Sequence, residues 1–99
     1  MPEQYPARSS RVAWRVYDGE AVILLGEDST LNTLNPVATV VWEAADGRTP
    51  VSAIVDRVCA EFDVDPADAE RDVIGFVDRL CRRGLLTVSA SPHEAPQEA

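Results

Sequence analysis

Lysine is missing from this 99-residue chain: its nine basic side chains are all arginine, set against 17 acids for a net charge of −8. A surface of that sign repels phosphates and anionic headgroups, so nucleic acid and membranes are poor partners. A cationic or mixed-charge peptide suits it better. Histidine is almost as scarce. The single His93 sits in the polar C-terminal run, which removes His-based triads and multi-histidine metal sites. Asp63, Asp65 and Asp68 lie close together, yet the glycine and distal glutamate of a calcium-binding loop are absent. The two cysteines, Cys59 and Cys81, lack C-x-x-C spacing and fall in helical patterns, so they read as small apolar residues in or beside a core. No apolar signal core opens the chain, and no apolar run approaches the roughly 20 residues that span a bilayer. The expectation is a cytoplasmic protein without membrane segment, metal, cofactor or catalytic groups of its own. A chain this short buries about 60–65% of its unfolded surface, enough for one small core.

What is present is well punctuated. Residues 1–10 are polar and carry two prolines, which reads as a flexible N-terminal arm. Val12, Trp14 and Val16 alternate with Ala13, Arg15 and Tyr17, the period of a half-buried strand. Asp18-Gly19 is a two-residue hairpin turn, and the apolar run Ala21 to Leu25 suits a central strand. After a turn at Gly26-Glu27-Asp28, Ser29 to Leu34 reads as a third, more polar strand. Three helix starts follow, each a capping residue before a proline: Asn35-Pro36, Thr49-Pro50 and Asp65-Pro66. The helices run from Pro36 to about Ala45, Pro50 to about Phe62 and Pro66 to about Arg83, with Gly84 as a left-handed stop. Leu85, Leu86 and Val88 suit a short extended segment, and residues 89–99 read as a disordered tail. The domain proper is residues 11–88. Its class is α+β, a three-stranded antiparallel sheet followed by three helices.

Helix three is wider than a core requires. Ala69, Val73, Phe76 and Leu80 cluster on one side, the side owed to the core. Glu70, Ile74, Val77 and Cys81 form a second stripe about a quarter turn away, with Asp78 beside it. That stripe is either the margin of a broad core face or the floor of an exposed groove, with Ile74 and Val77 at its base and Glu70 and Asp78 at its rim. The third strand lies at the sheet edge, and Thr30, Asn32 and Thr33 include no lysine or proline to blunt pairing. An extended peptide can add to such an edge, taking affinity from backbone hydrogen bonds and specificity from a neighbouring pocket.

The order Leu34-Asn35, Ala38, Trp42, Asp46-Gly47, Ile54, Asp72-Val73, Phe76, Leu80 and Gly84-Leu85-Leu86 resembles the PqqD-like family of peptide-recognition elements. The likeness runs from about Val12 to Val88. It implies a winged helix-turn-helix-like fold, and a function: binding the leader of a ribosomally made precursor peptide and presenting it to a leader peptidase or another modifying enzyme. It also implies the site, with the leader on Ser29, Thr30, Leu31, Asn32, Thr33 and Leu34 and against Glu70, Ile74, Val77, Asp78 and Cys81. Trp42 and Ala44-Ala45 look more like the free-standing recognition proteins of lasso-peptide clusters than like true pyrroloquinoline-quinone proteins. The competing readings are a pyrroloquinoline-quinone peptide chaperone and a winged-helix DNA-binding regulator. The second needs basic side chains aimed at phosphates, whereas helix three carries Asp65, Asp68, Glu70, Asp72 and Asp78 among its arginines.

Overall fold

In the computed structural model, which describes residues 4–25 and 30–92, two small antiparallel sheets flank three helices. Strands β2 (Val12–Tyr17), β3 (Glu20–Leu25) and β4 (Thr30–Thr33) form a meander in the order β2-β3-β4. The β2–β3 turn places Asp18 and Gly19 at φ of 51° and 78°, the doubly positive pair that matches strand twist. Ala21 and Ile23 point into the core, and Trp14 packs on it from β2. Ser29 and the turn expected at Gly26-Glu27-Asp28 lie outside the described residues.

Helix α1 (Pro36–Ala44) is buried on most of its surface: every position except Pro36, Val37 and Glu43 is buried, and all of those but Thr39 are apolar. Asn35 caps it as expected, its Oδ1 accepting from the Ala38 N–H at 2.8 Å. The other two caps differ. Helix α2 (Val51–Glu61) has Pro50 itself at the N-cap, and Asp65 sits at the N-cap of α3 (Pro66–Arg82) without a side-chain bond to the helix. The turn before α2 is held by Asp46 instead, whose Oδ1 accepts from the N–H groups of Arg48 and Thr49 at 2.9 Å each. Partial burial pushes the Asp46 carboxyl up, but these N–H donors, the Thr49 hydroxyl and the Arg48 charge outweigh it and hold it below the usual carboxylate range. Helix α3 ends as a Schellman motif: Gly84, at φ 76°, donates to the Cys81 carbonyl, and Leu85 donates to that of Leu80.

The flexible arm expected over residues 1–10 is corrected by the structure. Tyr5–Arg8 form β1, paired antiparallel with β5 (Leu86–Ser89), and Pro6 and Ala7 are buried. Further bonds stitch β1 to the α1–α2 connection: Arg8 N–H to Ala45, Gly47 N–H to Pro6, and Val51 N–H to Gln4. Arg8 also lays its guanidinium over the Trp14 ring and donates to the carbonyls of Trp42 and Glu43, where the α1 dipole favours a cation. Desolvation lowers its affinity for the proton, with Asp46 and Glu43 pulling the other way. Of the tail expected over residues 89–99, Ser89 instead closes β5, and residues 93–99 lie outside the described residues.

Two buried groups generate stability predictions. Thr39 Oγ1 accepts from the Ala21 N–H at 2.8 Å and donates to the Leu34 carbonyl at 3.3 Å, both inside the core. Thr39→Val keeps the shape but orphans both, so urea denaturation is expected to show a loss of about 1–3 kcal/mol, with Thr39→Ser much milder. Trp42 is 0% exposed and meets Trp14 edge-to-face at 5.9 Å, yet its indole N–H has no partner among the described residues. Trp42→Ala is expected to cost about 3–5 kcal/mol, and Trp42→Phe distinctly less because it also removes the orphaned donor; equal losses would contradict that packing.

Candidate functional site

The site begins with the unpaired margin of β4. Leu34 N–H donates to the Ala21 carbonyl at 2.8 Å, and bonded and non-bonded pairs alternate along an antiparallel ladder. Asn32 therefore turns its backbone groups toward Ile23, while Leu31 and Thr33 turn theirs outward. Among the described residues nothing else pairs with those outward groups. Side chains alternate as well. Asn32 and Leu34 share the core-side face, and Leu31, 65% exposed, lies on the outer face opposite Leu24.

The last turns of α3 border this margin. Arg83 Nη1 donates to Asn32 Oδ1 at 2.8 Å, tying the helix end to the middle of the strand. Between them lies a trough of about 250 Å³. Leu34, Ala38, Phe76 and Leu80 supply its apolar surface; Thr33, Asn35, Arg79 and Arg83 supply its polar rim. Phe76, Arg79, Leu80 and Arg83 fall at i, i+3, i+4 and i+7, so one face of α3 presents them together. The Arg79 guanidinium lies over the Phe76 ring, 5.2 Å from its centroid.

The second stripe of α3 goes elsewhere. Ile74, Val77, Asp78 and Cys81 line a separate hollow of about 220 Å³ with Gln4, Val51 and Val88, against the β1–β5 sheet and α2. At about 100° per residue this stripe and the Phe76 face lie on nearly opposite sides of the helix, so the stripe and the β4 margin do not share the single trough expected from spacing. A further hollow, where Asp72 and Arg71 join Asn35, Phe76 and Arg79, adjoins the Phe76 side. The core face also shifts. Ala69, Val73, Val77 and Leu80 are its buried members, while Phe76 is only half-buried. Glu70 is exposed and lines none of these hollows; Ile74 is 50% exposed. Of the strand positions, Leu31, Asn32, Thr33 and Leu34 stand at the margin as expected, Thr30 opens β4, and Ser29 is not described. Sequence reasoning missed the groove-side roles of Phe76, Arg79 and Arg83, whose common helical face was visible in the spacing.

The chemistry of the region favours binding. Cys59 and Cys81 are free and half-buried, and burial, with Asp78 second, pushes the Cys81 thiol up and away from nucleophilic use. Among the described residues no three His, Cys, Asp or Glu side chains converge as a metal site needs. No helix there is long and apolar enough to cross a membrane.

TbiB1, solved in complex with the TbiA(beta) leader peptide, superposes with a TM-score of 0.73 at 31% identity, over 81% of this chain and 93% of TbiB1. A lasso peptide synthetase B1 complexed with the leader peptide gives 0.71 at 24% identity, over 84% of this chain and 98% of that one, a likeness of fold. The PqqA binding protein of Xanthomonas euvesicatoria pv. vesicatoria (strain 85-10) is 40% identical over 53 residues, 54% of this chain and 58% of the relative. That of Rhodopseudomonas palustris (strain ATCC BAA-98 / CGA009) is 33% identical over 51 residues, 52% of this chain and 50% of the relative. The chain thus spans little more than half the length of the curated relatives it matches. The family described as Coenzyme PQQ synthesis protein D (PqqD) matches residues 20–86, from the start of β3 to the start of β5, and with that match the chain belongs to the PqqD family.

Proposed function

We propose that this chain binds the leader segment of a ribosomally synthesised precursor peptide as an added strand on β4 and presents it to a processing enzyme. The observation that carries the reading is the outward backbone of Leu31 and Thr33, unpaired among the described residues and bordered by the Phe76–Leu80 trough. Pairing there supplies sequence-tolerant backbone bonds, and the trough supplies selection of one guest side chain. The relatives support the reading, since two solved neighbours hold leader peptides and the curated relatives are PqqA binding proteins. A lasso-type pathway, with a leader peptidase as the working partner, is the form of this reading that Trp42 and Ala44-Ala45 favour, and one neighbour in fold is named a lasso peptide synthetase B1. The chain contributes recognition and no bond-making step of its own. In support, its one histidine is in the terminal run and Cys81 is a weakened nucleophile.

The test uses fluorescein-labelled leader peptides of short precursors, the TbiA(beta) leader bound by the 31%-identical neighbour first among them. Affinity is expected near −8 to −10 kcal/mol, about micromolar or tighter. Thr33→Pro removes an N–H that β3 does not use, a substitution an edge strand tolerates, and is expected to weaken binding at least about tenfold with the melting transition preserved. Phe76→Asp is expected to do the same from the helix side. Ile74→Glu, on the far hollow, is expected to stay within about twofold of the parent chain. Loss of binding with Ile74→Glu alone would move the guest to the other side of α3.

A further inference from the structure

The local charge of the trough is opposite to that of the molecule. The chain carries −8 in all, yet the trough beside β4 is lined by Arg79 and Arg83 and by no carboxylate. Helix α3 sorts its other arginines differently. Arg71 reaches Asp68 at 3.3 Å and Arg82 reaches Asp78 at 3.2 Å, both on exposed surface. Arg79 and Arg83 have no acidic partner among the described residues; one lies on the Phe76 ring and the other on the Asn32 amide. Neutral partners fix both guanidiniums in direction, and Asp72, which lines the adjoining hollow with Arg71 and Arg79, forms no ion pair with either of the two among the described residues. Favourable interaction with the helix C-terminus accounts for cations in this turn, but not for their holding neutral groups at the mouth of the trough.

Resting on the strand-addition reading above, we infer that Arg79 and Arg83 select a guest strand bearing an acidic side chain two residues from its apolar anchor. The spacing follows from the pleat. Guest residues opposite Asn32 and Leu34 both face α3 and are separated by one outward residue. The one opposite Leu34 meets Ala38, Phe76 and Leu80; the one opposite Asn32 meets Arg83, with Arg79 one turn away. A carboxylate there accepts charge-assisted bonds from fork-shaped donors already held in place by their neighbours. The repulsive net charge of the whole protein then discriminates against acidic segments that cannot reach this trough.

A display library of random 12-residue peptides, panned against the full chain, tests this. Enriched peptides are expected to carry Asp or Glu two positions from an apolar residue. Changing that acid to Lys is expected to weaken a labelled peptide roughly tenfold at low salt, with the difference shrinking in 1 M salt. The double variant Arg79→Glu/Arg83→Glu is expected to bind as many peptides but to prefer basic ones, an inversion that misfolding cannot mimic. Enrichment without acidic preference, or a preference the swap leaves unchanged, overturns the inference while leaving strand addition intact. Displacement by a short DNA duplex as readily as by peptide makes this a phosphate site and also overturns it. Absence of any enrichment, or binding insensitive to Thr33→Pro, overturns the strand-addition reading itself.

Discussion

The junction between β4 and α1 is the point on which the rest of the molecule depends. Within six residues the chain must leave a sheet, turn and enter a buried helix, and no backbone polar group there can be left dry. Leu34 meets that demand by donating to Ala21, Asn35 by capping α1, and Thr39 by bridging the Ala21 N–H and the Leu34 carbonyl. One backbone N–H and two side chains thereby lock sheet to helix. Once α1 is seated, Trp42 meets Trp14 beneath the sheet, and α2 and α3 pack on the remaining apolar surface.

The proposed binding surface follows from that lock. A meander that ends at β4 leaves the outward groups of Leu31 and Thr33 without a neighbouring strand among the described residues. Helix α3 runs past the end of β4 with its Schellman stop at Gly84, so that Arg83 meets Asn32 and Phe76 reaches the start of α1. The result is a ladder edge and a trough of mixed polar and apolar lining side by side, the two elements by which an extended peptide gains affinity and specificity. Arginines on neutral partners give the trough a sign that the net charge alone would not suggest.

Much of this was legible in the residues, and the failures have physical causes. Strand alternation, the Asp18-Gly19 turn, the Asn35 cap and Gly84 all act locally, and each element they mark is present within a residue or two. Strand β1 was hidden because its partner β5 lies some eighty residues away, and Pro6 resembles a loop residue until its carbonyl is seen accepting from Gly47. The face of α3 that meets the core turned by only about 25°, with Val77 taking the place expected for Phe76, because apolar residues extend past both margins of that face. With β5 on one flank and α1 and β4 on the other, a wheel cannot say whether Phe76 or Val77 is the buried member. The smaller Val77 is buried and the larger ring is left half-open toward the trough. Net charge averages over faces that the fold keeps apart, so it does not report the sign of any one of them.

Amide hydrogen exchange at Leu31 and Thr33, read residue by residue with and without a bound leader peptide, tests strand addition most directly. Fast exchange in the free protein and strong protection of both amides in the complex is the expected result, with the amides of Ile74 and Cys81 little changed. Tight binding that leaves Leu31 and Thr33 exchanging freely would show that the guest does not pair with this edge.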